Sequence, residues 1–367
     1  MRIERLRNRR DIRHGFGSEE SRARLVLYGR ILEETARLHL RWLPGAAPLE
    51  VKVLLAIHAS EDAAFALRVE ERLAELGGAD HEDEPAGLAA LIAHLRSLDT
   101  WGKYVGAVYS VIKPALVDRW EDHFTGANLL LDEPTARLLG DLMRVAPQHI
   151  SGGMVAVEAV NQMGDGASLS AAVAELRTQW SALDTEESPG SAEEQTPPAP
   201  DYQVPARDEF LRIEDKTLMG SIPELLLKAA PMPDVDFHAA VAPELHAWMN
   251  EELIRAELFS RAGAHPSLSP ARRERIARLA WDRVRHVQAL EKLLELCGGS
   301  WGAYPATLDT WRSAKRASLR EIAGDRLAVD ALAGAYAAAG RTEFAHAFDA
   351  MHIDNEWMRR LCREIAT

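Results

Sequence analysis

Cysteine is nearly absent. Cys297 and Cys362 are the only two in 367 residues, too few for a disulfide framework or a cysteine-rich zinc site, and in keeping with a reducing compartment. Positive charge is in deficit: 43 Lys and Arg against 56 Asp and Glu leave a net −13, which argues against a nucleic-acid binder held by a bulk cationic field. The six arginines between Arg2 and Arg13 are the one local exception and read as a basic arm lying on an acidic body. No run approaches the roughly 18 apolar residues that a membrane span needs, and the N-terminal MRIERLRNRRDIRHGFG lacks the apolar core of a secretory signal. A cytoplasmic protein with no nucleic-acid or membrane partner is therefore expected. Gly-rich phosphate loops, nucleophile elbows and Cys-His catalytic signatures are missing too, which removes several common enzyme classes.

Alternating runs of β-branched residues are also missing. Long Ala/Leu/Arg/Glu-rich stretches instead repeat apolar residues at intervals of three and four, the period of amphipathic helices. The fold expected is all-α. Candidate helices run from about Ser18 to Trp42, Pro48 to Leu76, Trp101 to Phe124, Pro134 to Gln162 and Leu169 to Leu183. After a break they run from about Val235 to Ala264, Pro270 to Leu296, Thr307 to Ala323, Arg326 to Ala339 and Thr342 to Ile365. The break is the segment Asp184 to Ala206, with five prolines, six acids and no basic residue, the composition of a disordered linker. It separates a first helical half, residues 1–183, from a second, residues 207–367.

Gly77-Gly78 and Gly298-Gly299 close matching helices, as C-terminal glycines do. Aligning Glu75-Leu76 with Glu295-Leu296 sets Asp62 opposite Asp282 and Glu34 opposite Glu252, so the halves read as two copies of one helical unit. Each would otherwise expose much apolar surface, and the halves are expected to pack together. The linker also permits exchange between chains, hence a homodimer.

The chemistry-bearing residues concentrate in the second half. Glu252 and Glu257 share one helix; Asp282, Arg283, Arg285 and His286 share the next. A carboxylate facing a carboxylate and an imidazole on a neighbouring antiparallel helix is half of the di-metal site built inside four-helix bundles. Asp349, His352 and Glu356 form one stripe on the last helix, readable as a metal or acid-base group or as a polar stripe beside Phe344, Phe348, Met351 and Met358. His246, Asn250 and Glu257 follow another face. The tryptophans Trp248, Trp281, Trp301, Trp311 and Trp357 read as bundle filling. In the first half, His58, Glu61 and Asp62 share a helix, with Glu33 and Glu34 on the preceding one; His39 falls opposite Glu257. His58 and Glu61 can share a metal or a proton; the plainer alternative is a surface salt-bridge cluster with Arg37 and Arg68.

The second half resembles a known family. NEELIRAEL is similar to the HHELxAIEL stretch of an uncharacterised bacterial ferritin-like family related to the diiron tRNA hydroxylases. DRVRH is similar to its DExRH, CGGSWGAYP to LGGxxGxYP, and DNEWMRRLCREI to a terminal DExxHVxxGxxWL. The first half resembles it more loosely, through HASEDAAFALRVEERLAEL and VYSVIKPALVDRW. The resemblance implies a ferritin-like bundle with carboxylate and histidine ligands for two iron or manganese ions, of which Glu257 and His286 match and Glu321 is a third-helix carboxylate. Arg283 stands where the first Glu-x-x-His has its Glu, and Asn355 and Met358 stand where the last motif has its ligands. A guanidinium adds positive charge where two cations need negative.

The leading expectation is thus a ferritin-like enzyme of small-molecule metabolism with a degenerate metal site. It would act without metal or other cofactor by acid-base chemistry such as cyclisation, isomerisation, elimination or hydrolysis. Glu257, Asp282, Arg283, His286, Asp349, His352 and Glu356 are its candidate catalytic residues. The alternatives are an iron or manganese oxygenase using Glu257, Asp282, His286, Glu321, His352 and Glu356, and a non-catalytic helical scaffold.

Overall fold

The computed structural model describes residues 15–46, 48–78, 87–129, 131–164, 166–183, 234–303, 318–323 and 329–366. Among these every regular element is a helix, and none is long and apolar enough to cross a membrane. The basic arm Arg2 to Arg13, the acidic linker and Trp311 lie outside the described residues. The chain divides into two compact units, one of Met1–Trp42 with Pro48–Gln203, the other of Leu43–Ala47 with Val204–Thr367.

In the first unit α1 (Ser18–Trp42) pairs with α2 (Leu49–Glu75), and α3 (Leu88–Ser97), α4 (Trp101–Ala107), α5 (Lys113–Gly126), α6 (Glu133–Gln162) and α7 (Gly166–Ala182) complete it. The helix α3 was not expected from sequence. Its signal is nonetheless plain, since Leu88, Leu91, Ile92 and Leu95 recur at helical spacing and are all buried. Between α4 and α5 the chain does not break; residues Val108–Ile112 form a π-turn, with the Lys113 N–H bonded to the Val108 carbonyl five residues back. Pro114 supplies a local reason: it has no N–H to give the carbonyl four residues earlier and its ring crowds that carbonyl, so the wider turn relieves the conflict.

Polar ties fix the helices of this unit to one another. Ser21 Oγ donates to Asp132 Oδ2 at 2.6 Å and therefore accepts from His123 Nε2 at 2.8 Å, which assigns the His123 proton to Nε2. Arg72 holds the other Asp132 oxygen at 2.7 Å. Glu34, buried on α1, takes two bonds from Arg96 at 3.0 and 2.8 Å and further bonds from Arg37. Burial alone would raise its pKa; Arg96 and Arg37 outweigh that and hold the carboxylate ionised.

In the second unit α8 (Asp234–Gly263) pairs with α9 (Pro270–Leu296), and α10 (Leu319–Ala323), α11 (Val329–Ala338) and α12 (Thr342–Ala366) pack around them. The α8–α9 connection is pinned from within by the buried Arg273, whose guanidinium donates to the carbonyls of Gly263 at 2.5 Å and His265 at 3.2 Å. Five aromatic side chains fill the α8–α11–α12 contact: Tyr336 stacks on Phe348 at 5.2 Å, and Phe348 meets Trp248 edge-on at 5.4 Å. Phe237 and Phe344 complete the group.

The two glycine terminators adopt the same hydrogen-bond pattern. Gly78 N–H reaches the Leu73 carbonyl at 2.8 Å, and Gly299 N–H reaches that of Leu294 at 2.9 Å. This equivalence falls one residue later than the alignment on Glu75-Leu76. It sets Asp62 opposite Arg283 rather than opposite Asp282, and both are buried.

Candidate functional site

The richest polar interior lies in the first unit. Asp62 on α2 projects inward, 1% exposed, and meets the ammonium of Lys113 from the start of α5, itself 2% exposed. Thr35 of α1 donates to Asp62 Oδ2 at 2.9 Å. His39 of α1 brings its Nε2 to 3.4 Å from the same oxygen, and His149 of α6 brings its Nδ1 to 3.7 Å from Oδ1. The other edge of His149 bonds through Nε2 to Glu61 Oε2 at 2.5 Å. His58, one turn before Asp62 on α2, stacks on His149 with ring centroids 3.9 Å apart and bonds through Nδ1 to the Tyr109 hydroxyl at 2.6 Å. Tyr104 closes the cluster, with its hydroxyl 3.0 Å from His39 Nδ1 and 3.1 Å from the Thr35 carbonyl.

Burial and the fixed cation set the protonation of this cluster. Asp62 would be raised by burial, but Lys113 and the neighbouring imidazoles hold it far below the usual carboxylate range. Burial pulls His39 down to about 4 against the attraction of Asp62, and pulls His58 well below its ordinary value with help from His149. Tyr104 and Tyr109 are pushed well above the usual phenol range, again chiefly by burial. At neutral pH the Asp62–Lys113 pair therefore has neutral imidazoles at His39 and His58 and neutral phenols at Tyr104 and Tyr109 around it.

The backbone is adapted to hold these groups. Tyr109 sits in the π-turn and Lys113 directly follows it. Gly153 of α6 makes room for the phenol ring: a Cβ there would stand 2.1 Å from Tyr109 Cγ. Pro147, two residues before His149, interrupts the hydrogen bonding of α6. On helix propensity alone Gly153→Ala would stabilise by about 1 kcal/mol; the clash reverses the sign. A loss of about 1–3 kcal/mol is expected, measured by urea unfolding, and a stabilised variant would show that the ring moves aside freely.

Sequence reasoning singled out His58, Glu61 and Asp62 but allowed a surface cluster with Arg37 and Arg68. That alternative is corrected: His58 and Asp62 are buried, Arg37 pairs with Glu34, and Arg68 pairs with Asp141 on the outside. His39, Lys113, His149, Tyr104 and Tyr109 were missed as members of this cluster. The signal for Lys113 was a single cation inside the apolar run VYSVIKPAL; His149 carried none beyond its helical position.

The residues favoured from sequence lie in the second unit and are only partly brought together. Arg283 and His286 do converge, but on Glu252 rather than on Glu257: Arg283 Nη1 lies 3.0 and 2.8 Å from the two Glu252 oxygens, and His286 Nδ1 lies 2.9 Å from Oε2. Arg283 also donates to the Ala323 carbonyl at 2.8 Å. Burial alone would raise Glu252, yet Arg283 and His286 hold it well below the carboxylate range. Burial opposes the charge on His286, but Asp354 at 3.5 Å and Glu252 raise its pKa. Glu257 is fully buried on α8. Asp282 turns to Arg278 and Arg285, at 3.2 and 3.0 Å, both near solvent.

The α12 stripe does not enter this interior. Asp349 and Glu356 are exposed, and His352 lies 3.8 Å from Glu356 on the outer side. Asp354, the first residue of DNEWMRRLCREI but not one of the candidate catalytic residues, is the α12 residue that reaches His286. Glu321 is exposed and accepts from the Ser318 N–H at 2.6 Å, a cap of its own helix. His246 accepts the Gly302 N–H at 3.0 Å and stacks on Trp301, a structural use of that histidine.

Among the described residues neither unit offers the donor set of a metal pair. Among the described residues no group of three or more His, Cys, Asp or Glu side chains is arranged to hold a metal ion. The charged side chains explain this: an ammonium bonds Asp62 and a guanidinium bonds Glu252, each carboxylate's demand for positive charge being met by the chain itself. No family model, curated protein or solved structure matches the chain.

Proposed function

We propose that the protein is a ferritin-like helical enzyme of small-molecule metabolism that moves protons without a metal, with its centre in the first unit. The observation that carries this reading is the Asp62–Lys113 pair ringed by His39, His58, His149, Tyr104 and Tyr109 in a bundle interior. Burying so many polar groups costs several kcal/mol, and a π-turn and a glycine niche are spent on placing one of them.

Tyr109 and His58 share a proton along a 2.6 Å bond. A phenol held neutral by burial can give its proton to an oxyanion developing on a substrate and take it back, while His58 Nδ1 fixes where that hydroxyl sits. Lys113 supplies a fixed positive charge for a carboxylate or a developing enolate oxygen. Cyclisation, isomerisation, elimination or hydrolysis of a carboxylate-bearing or carbonyl substrate lies within reach. Iron or manganese is disfavoured because Lys113 already occupies the inner oxygen of Asp62. The convergence of Arg283 and His286 on Glu252 supports a structural role for the second unit's ion pairs, since all three are turned toward one another.

The test is mass-spectrometric. Incubated with a metabolite extract, the wild-type protein is expected to consume a small anionic molecule in the presence of chelator, whereas His58→Gln and Tyr109→Phe do not. Turnover abolished by chelator and restored by ferrous or manganous ion, or turnover untouched in His58→Gln, would overturn the assignment.

A further inference from the structure

We propose that Glu61 and His149 form the path by which protons pass between solvent and the buried Asp62–Lys113 pair. This inference rests on the acid-base reading of that centre. A centre that moves protons must exchange them with water, yet Asp62, Lys113 and His39 are all at most 2% exposed. Glu61 is the half-exposed member of the cluster, its side chain 38% accessible. Adjacent to Asp62 on α2, it is turned about 100° around the helix, so one carboxylate faces outward and the next inward.

His149 spans the two. Its Nε2 lies 2.5 Å from Glu61 Oε2 and its Nδ1 lies 3.7 Å from Asp62 Oδ1. An imidazole suits this position because it accepts a proton on one nitrogen while releasing one from the other. A proton taken from water by Glu61 passes to Nε2 as Nδ1–H gives its own to Asp62 Oδ1, which trades it for one of the Lys113 ammonium's; the reverse sequence carries that one out to water and restores the His149 tautomer. Only O–H and N–H bonds are exchanged, and no other reactant is needed. The outer contact is already a hydrogen bond, whereas the inner gap must shorten by somewhat under about 1 Å, so the inner transfer is the slower. His58 stacks on one face of the His149 ring, with centroids 3.9 Å apart, and limits its movement. His39, His58, Lys113 and Tyr109 are the other titratable groups facing this path.

The experiment follows hydrogen exchange of the Lys113 ammonium with water by NMR on the ¹⁵N-labelled full chain. Glu61→Gln, which keeps the shape and removes the proton site, is expected to slow that exchange by on the order of tenfold or more, and His149→Gln likewise. Backbone amide exchange in α2 and α6 is expected to stay unchanged, which separates loss of the path from loosening of the helices. An unaltered Lys113 rate in Glu61→Gln overturns the proposal, since protons then arrive by local opening. Because Glu61 is half-exposed, that variant remains informative even if His149→Gln fails to fold. Slowed exchange in a protein that consumes no metabolite would keep the path and sink the enzyme reading; unaltered exchange with His58-dependent turnover would do the opposite.

Discussion

Lys113→Met is expected to destabilise the first unit by about 3–5 kcal/mol at neutral pH. The substitution preserves volume and apolar stem but leaves the Asp62 carboxylate, 1% exposed, without its cation. Thr35 remains as a hydrogen-bond partner and His39 as a close neighbour, which does not offset a bare charge in a poorly solvated interior. Urea unfolding should show a lower midpoint with an unchanged slope in the transition assigned to the first unit. Asp62→Asn in the same background is expected to recover most of the loss, because a neutral amide no longer requires a cation. In acid the single variant should lose less further stability than the wild type does, since an imidazolium at His39, no longer repelled by Lys113, can take the place of the ammonium. A loss under about 1 kcal/mol would mean that water reaches the pair.

Acidification should weaken the first unit well above the range where carboxylates protonate. In the unfolded chain His39 takes up a proton near pH 6.5; in the fold burial holds its pKa to about 4. Between those values the unfolded state binds more protons, so stability falls as pH falls through this window, by on the order of 3 kcal/mol from His39 alone. His123, also lowered to about 4 by burial, and His58, lowered further, act in the same direction. Asp62 and Asp132, both depressed, add their loss only below about pH 4. Unfolding midpoints measured at pH 7, 6 and 5 should decline steadily, and His39→Gln should flatten the decline. A flat wild-type profile over that range would show that the imidazoles are already protonated in the fold.

Helix identity was legible because amphipathic period survives in isolation: Ser18–Trp42 and Pro270–Leu296 were located to the residue. The site was legible only where its residues shared one helix. His58, Glu61 and Asp62 are neighbours on α2, and Arg283 and His286 on α9, so spacing exposed them. Their partners come from other elements. Lys113, Tyr109 and His149 reach Asp62 and His58 across 51 to 87 positions of sequence, and no periodicity encodes which distant helix face will meet which. The choice of Glu257 over Glu252 failed for a related reason. Both lie on the inner side of α8, and the deciding factor was Arg283, whose guanidinium selects the carboxylate nearest its own level. The α12 stripe shows the converse: Asp349, His352 and Glu356 do share a face, but the face turned inward belongs to Phe344, Phe348, Met351 and Met358.

The π-turn at Val108–Ile112 acts as a phase shift in the helix that carries it. One residue beyond the ordinary count advances everything downstream by about 100° of rotation. Lys113, Leu116, Trp120 and His123 are buried on that shifted phase, while Tyr104 and Val105 are buried on the phase before it and Tyr109 within the turn itself. The two stretches thus aim different angular sectors at the same interior, and a chain one residue shorter at this point would swing the ammonium and the indole away together. A single inserted residue is in effect a rotary coupling between the phenols and the cation they surround.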